Sequence, residues 1–213
     1  MGYDVITVPG GKPPRACLGY SFVQQLYILK HVGQISANKL DELQSSMVLL
    51  DQEQASIDEY TKALAEKLYT KIPILYSEDS MESVAIRFRQ QINENGKMLC
   101  WHHVIPEMNH NELIAWGGVG NYQDFDAPNQ GILIVTWPGM NERVVHRMDW
   151  FVANCPSELA WKIQGEGESL LECLLHICIM MDWLSIAVAL LSGKDPTAID
   201  PIDSIKEYLS QID

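Results

Sequence analysis

GILIVTW, Gly131 to Trp137, decides the fold class. Its first five residues are apolar at successive positions, not at alternate ones. A strand with one wet face alternates, so a strand apolar on both sides must be covered on both. Before it, Gly117–Gln130 is rich in Gly, Asn and Asp and reads as a mobile loop. After it, a helix is predicted over Asn141–Asn154. Further strands are predicted over Asp4–Val8, Ile72–Tyr76, Lys97–His103 and Ala160–Ile163. Helical patterns lie between them, over 16–31, 37–50, 56–69, 81–91 (ending near Glu94), 112–116, 169–193 and 202–211. Strands without face alternation, separated by helices, predict a mainly parallel sheet in a three-layer α/β/α sandwich. A chain of 213 residues suits one such domain.

The formal net charge is −13. Phosphate backbones and anionic membranes need a basic surface, so this charge argues against nucleic acid and membrane partners. An anionic ligand would depend on a few local cations or helix N-termini. The five cysteines, Cys17, Cys100, Cys155, Cys173 and Cys178, form no CxxC pair. They read as reduced, mostly buried thiols of a cytoplasmic protein. The N-terminus enters an apolar strand-like run at once, without the pattern of a signal peptide. The longest apolar run, Ser169 to Gly193, is interrupted by Glu172, His176 and Asp182. It reads as the central helix of a core, ended by Gly193 and Pro196.

Two ionisable residues are each boxed by asparagines: Glu94 in Asn93-Glu94-Asn95 and His110 in Asn109-His110-Asn111. Glu94 fits a general base held by amide hydrogen bonds, and equally a solvated glutamate at a helix end. His110 fits an acid/base group near neutral pH, and equally a first-turn histidine behind an Asn109 cap. Arg15 closes the turn PGGKPPR between a predicted strand and a helix, the place for an anion contact. A surface arginine at a helix start is the plain alternative, weakened by the positive end of the helix dipole. Lys206, on the last predicted helix, reads by default as a solvated lysine. His102 and His103 are neighbours in a strand and point to opposite faces, which argues against a metal site. No turn offers a good phosphate cradle: Ser77–Glu82 is acidic, and Gly117-Gly118-Val119-Gly120 follows a helix.

PGGKPPRACLGY, QQINENGK, PEMNHNELIAW and DPTAIDPIDSIKEYL occur in this order along the chain. Together they resemble the bifunctional phosphoglucose/phosphomannose isomerase family, at its C-terminal SIS (sugar isomerase) domain. The resemblance implies a cofactor-free, metal-free isomerase interconverting glucose 6-phosphate or mannose 6-phosphate with fructose 6-phosphate through a cis-enediol. It implies a homodimer with shared active sites. By the same resemblance, Glu94 moves the proton between C1 and C2, and Arg15 stabilises the enediolate. His110 assists ring opening in the neighbouring subunit's site, with Lys206 working beside it. Thr197 becomes a candidate substrate contact. The family's Ser/Thr phosphate loops lie in an N-terminal SIS domain. The expectation is therefore a single C-terminal SIS domain over 1–213, a fragment lacking that partner domain and inactive or weak alone. A non-catalytic sugar-phosphate-binding or dimerisation SIS module is the alternative.

Overall fold

The computed structural model describes residues 5–117, 129–155 and 160–212. Four parallel strands form the sheet in the order β2-β1-β3-β4: β1 (Ile72–Glu78), β2 (Trp101–Ile105), β3 (Gln130–Thr136) and β4 (Ala160–Gln164). The register sets Leu75 beside both His102 and Leu133, and Tyr76 beside both His103 and Ile134. The residues of the decisive stretch divide between two cores. Leu133 and Val135 face one, Ile132 and Ile134 the other, and all four are fully buried.

One face is covered by α2 (Asn38–Leu68), α3 (Glu82–Glu94) and α6 (Leu170–Leu191). The other is covered by α4 (Glu112–Trp116) and α5 (Glu142–Asn154). This is the predicted three-layer α/β/α arrangement. The apolar α6 opens with a reciprocal cap between Ser169 and Glu172 and buries half of its most apolar stretch. α1 (Leu18–His31) lies outside the α2–α3–α6 layer and has one buried residue, Leu26. α7 (Asp200–Leu209) has none.

Three expectations change. The helices predicted over 37–50 and 56–69 are one helix of 31 residues. Its middle, Asp51-Gln52-Glu53-Gln54-Ala55, contains neither Gly nor Pro to break it. Of the strand predicted over Asp4–Val8, residues 5–8 do not join the sheet, and Val5 is 80% exposed. An apolar β-prone run becomes a strand only where a neighbour offers a ladder. The strand predicted over Lys97–His103 begins at Trp101, because residues 95–98 fold back against the end of α3. The loop read over Gly117–Gln130 falls, between 118 and 128, outside the described residues, as do Gly118–Gly120.

Connections reverse direction between β1 and β3. β1 leads to β2 through α3 on one face, whereas β3 leads to β4 through α5 on the other. In open α/β sheets this reversal leaves a crevice at the carboxyl ends of the two strands, where ligands gather.

Candidate active site

Glu94 is the last residue of α3. The amide N–H of Asn95 closes the helix on the Gln91 carbonyl, and that of Met98 returns to Ile92. A helix C-terminus is the negative end of its dipole, so a glutamate there requires compensating cations. Two arrive. Arg15 donates from Nη1 to Glu94 Oε1 at 2.6 Å, with side chains 12% and 33% exposed. Lys97 folds its Nζ back onto the Glu94 carbonyl and also reaches the Ala198 carbonyl at 2.6 Å. Lys97 adopts a left-handed backbone (φ 56°), which turns its side chain over the helix end.

Arg15 comes from the 3₁₀ turn Pro14–Cys17 that leads into α1. Its other donors meet Asn95 Oδ1 (2.8 Å) and the carbonyls of Pro196 (3.2 Å) and Thr197 (3.3 Å). Buried Asn95 also donates to Ser185 Oγ at 3.0 Å, which fixes its amide and hence the arginine. Asn93 instead accepts from the Cys100 N–H and ties the loop to the start of β2. The two asparagines around Glu94 thus serve separate purposes. Thr197 joins the cluster by its backbone, while its hydroxyl and N–H hold Asp195. Those two bonds lower the Asp195 pKa.

His110 lies elsewhere. It ends the 3₁₀ turn Glu107–His110 that follows β2, on the face of Met108 and α4. Glu94 precedes β2 on the α3 face, so the two residues occupy opposite ends of that strand and opposite faces of the sheet. A strand of this length sets them roughly 15–20 Å apart. Asn111, not Asn109, caps α4: its Oδ1 accepts from the Glu112 N–H at 2.6 Å. Asn109 instead accepts from Arg147. Lys206 is also apart, with its side chain 65% exposed and Asp203 at 3.5 Å as its ion-pair partner. The structure therefore brings together Arg15, Glu94 and Thr197, and separates His110 and Lys206 from them. Asn95 was expected to hold Glu94 directly but meets Arg15 and Ser185 instead, and Lys97 was not singled out in the sequence. Asn-Gly-Lys directly after a helix is the signal that marks the turn carrying them. Arg15 itself sits at the amino-end side of β2, because residues 5–8 form no strand whose carboxyl end it could occupy.

Residues 57–209 match the family described as the bacterial phospho-glucose isomerase C-terminal SIS domain. The chain belongs to that family. It is 29% identical to the bifunctional phosphoglucose/phosphomannose isomerase of Aquifex aeolicus, over 99% of this chain and 62% of the relative. For the protein of the same name from Caldicellulosiruptor bescii the identity is 27%, over 99% and 64%. The chain thus spans less than two thirds of these relatives. In fold it resembles the C-terminal domain of glucosamine-fructose-6-phosphate aminotransferase from Francisella tularensis (TM-score 0.59, 15% identity, 75% of this chain and 46% of that one).

In this SIS domain the crevice between β1 and β3 is filled from within. Glu78, the last residue of β1, is 8% exposed. Its carboxylate accepts from Ser80 Oγ (2.8 Å), Trp137 Nε1 (3.2 Å) and the Asn141 N–H (3.2 Å). A hydroxyl, an indole N–H and a helix-end amide are donors that a bound anion would use. Here a side-chain carboxylate takes them.

The SIS domain also holds a polar chain across β1 and β2. Trp116 Nε1 donates to Tyr76 Oη (2.7 Å), which donates to Glu112 Oε2 (2.6 Å), and Glu112 Oε1 meets His103 Nδ1 (2.6 Å). Burial and the carboxylate beside it raise the Tyr76 pKa. His102, on the opposite face, turns to Glu82 at 3.5 Å. The neighbouring imidazoles thus serve different layers.

Proposed function

We propose that this chain is the proton-transferring half of an aldose–ketose isomerase for glucose 6-phosphate or mannose 6-phosphate and fructose 6-phosphate. The observation that carries the reading is the Arg15–Glu94 pair, held at 2.6 Å in a cluster that leaves Glu94 one third exposed. A carboxylate reachable by substrate, with a fixed guanidinium beside it, suits proton abstraction next to a carbonyl. Glu94 takes the C2 proton of the open-chain aldose, and the C–H electron pair forms the C1–C2 double bond of the enediolate. Glu94 is then neutral, and the negative charge lies on the substrate oxygen. Arg15 faces one negative charge before and after, so the transfer needs little reorganisation. The proton of the C2 hydroxyl passes to the C1 oxygen, return of the carbon-bound proton to C1 then gives the ketose, and one carboxylate suffices for the carbon proton in both directions.

His110 stands too far from Glu94 to share its substrate within one chain. This favours a homodimer in which each chain lends its histidine to its partner for ring opening, with Lys206 beside it. Thr197 borders the sugar. Glu78 occupies the crevice donors, so the substrate phosphate is held by an N-terminal SIS domain that completes the enzyme. The reaction uses no metal or other cofactor, and the setting is the cytoplasm.

A coupled assay from fructose 6-phosphate to glucose 6-phosphate tests this. It compares the chain alone, the chain joined to an upstream SIS domain from a relative, and Glu94→Gln in each. Turnover is expected only in the joined protein and is lost on substitution. Robust turnover by the chain alone would refute the divided phosphate site. No turnover in any form would leave a non-catalytic sugar-phosphate-binding or dimerisation module.

A further inference from the structure

A cleft lies away from Glu94, beside the His110 turn. It has a volume of about 510 Å³ and is lined by Asn109, Leu113, Arg143, His146, Arg147 and Trp150. Such a volume admits a small metabolite. Two guanidinium groups stand one helical turn apart on α5. Neither has an ion-pair partner among the described residues, whereas Arg15 and Arg87 are each paired with a carboxylate. Arg147 makes one side-chain bond, to Asn109 Oδ1 at 3.2 Å, and retains donors toward the cleft. His146 reaches only Glu142, at 3.6 Å, and both are exposed.

Unpaired arginines are notable in a chain of net charge −13. Carboxylates are plentiful, so leaving two guanidinium groups without one keeps a local positive field in an acidic surface. Arg143 also lies in the first turn of α5, where a cation opposes the helix dipole. The same face of α5 continues into a different chemistry at Trp150, and Leu113 of α4 faces it across the cleft. Trp150, 45% exposed, and Leu113 offer an apolar surface suited to the C–H face of a sugar or polyol.

We propose that this cleft binds a phosphate monoester of a small polyol. Arg143 and Arg147 clamp the phosphate, Asn109 meets a hydroxyl, and Trp150 stacks on the carbon skeleton. Within one chain the site lies apart from the Glu94 cluster, and the inference rests on the cleft itself and not on the chemistry proposed for Glu94.

The test is titration of the chain with fructose 6-phosphate, inorganic phosphate and fructose at fixed ionic strength, followed by tryptophan fluorescence and calorimetry. The phosphate ester is expected to bind saturably, inorganic phosphate more weakly, and fructose not at all. Trp150→Phe should remove the fluorescence change and keep the heat of binding. The double variant Arg143→Gln/Arg147→Gln should weaken binding by about tenfold or more, while Arg147→Lys retains part of it. Lys62→Gln, an exposed change on α2 away from the cleft, should leave affinity unchanged. Absence of saturable binding up to roughly 10 mM ligand would overturn the proposal. So would binding that survives the double variant. Binding lost in Arg15→Gln alone would move the ligand to the Glu94 cluster, overturning this site while supporting the proposed function.

Discussion

Replacing Arg15 with alanine should detach α1 without unfolding the domain. α1 contributes one buried side chain, Leu26. Clefts of about 300 and 270 Å³ remain between it and the layer below. Its attachment depends strongly on the turn that precedes it, where Arg15 bonds to Glu94, Asn95, Pro196 and Thr197. A hydrogen bond to a charged group is worth about 1.5–3 kcal/mol. The bonds of one guanidinium are not additive, and Glu94 is partly exposed, so screening reduces its share. A total of about 2–3 kcal/mol follows for the anchor. Opening of α1 should become easier by that amount, and its amide protection should fall roughly 30- to 150-fold. Amides of α6, buried between α2 and α3, should keep their protection. Hydrogen exchange followed by mass spectrometry separates the two helices. Unchanged protection in α1 would show that Arg15 does not anchor it. Equal losses in α1 and α6 would show that α1 is not a separable unit.

Tyr76→Phe should cost about 1–3 kcal/mol in urea unfolding, since the fully buried hydroxyl both donates and accepts; a change below about 0.5 kcal/mol would deny the Trp116–Tyr76–Glu112–His103 chain a role in stability. His176 is 4% exposed, and burial lowers its pKa from 6.5 against the opposing pull of Glu166 and Glu53. A lowered pKa means that the folded state disfavours the imidazolium. Its stabilising effect is full above the unfolded value and is lost as pH falls through the lower folded value. Urea midpoints measured between about pH 7.5 and about pH 5 should fall, and His176→Gln should make that fall shallower; an identical slope would contradict it.

How much of this could be read from the sequence depended on the range of the interaction. GILIVTW revealed a doubly covered parallel strand because both-face apolarity is a local property. The continuity of α2 was missed, although nothing in Asp51–Ala55 breaks a helix: the polar run reads as a gap between two helices. Residues 5–8 misled because their pattern is local, whereas a strand needs a partner from elsewhere. At the site, both asparagine boxes were visible but not their division of labour. Asn95 reaches Ser185, 90 positions away, and Asn109 reaches Arg147, 38 away. Lys97 was hidden by backbone geometry: in Asn95-Gly96-Lys97 the left-handed position falls on the lysine, not on the glycine. The tyrosine chain was hidden by the 36 positions between Tyr76 and Glu112.

Three features of this fold run against what stability alone would select. Glu94 ends a helix at its negative pole, Arg143 stands in the first turn of one at its positive pole with Arg147 a turn behind it, and Glu78 carries a carboxylate into a buried crevice. Each placement costs something by the rules of helix dipoles or desolvation, and exchanging the signs at the helix ends would remove two of the costs. Their compensations differ. Glu94 is partnered by Arg15, yet stays accessible. Glu78 is surrounded by three donors, so its cost is met within the protein and nothing is left to attract a ligand. For Arg143 and Arg147 no carboxylate among the described residues meets the cost. The same acidic chain therefore closes the crevice where an α/β sheet most readily holds an anion and leaves cationic donors open beside the His110 turn. An anion approaching this domain would be turned away from the carboxyl end of β1 by Glu78 and drawn toward α5. Local charge, not the net field of the protein, governs where a phosphate can rest.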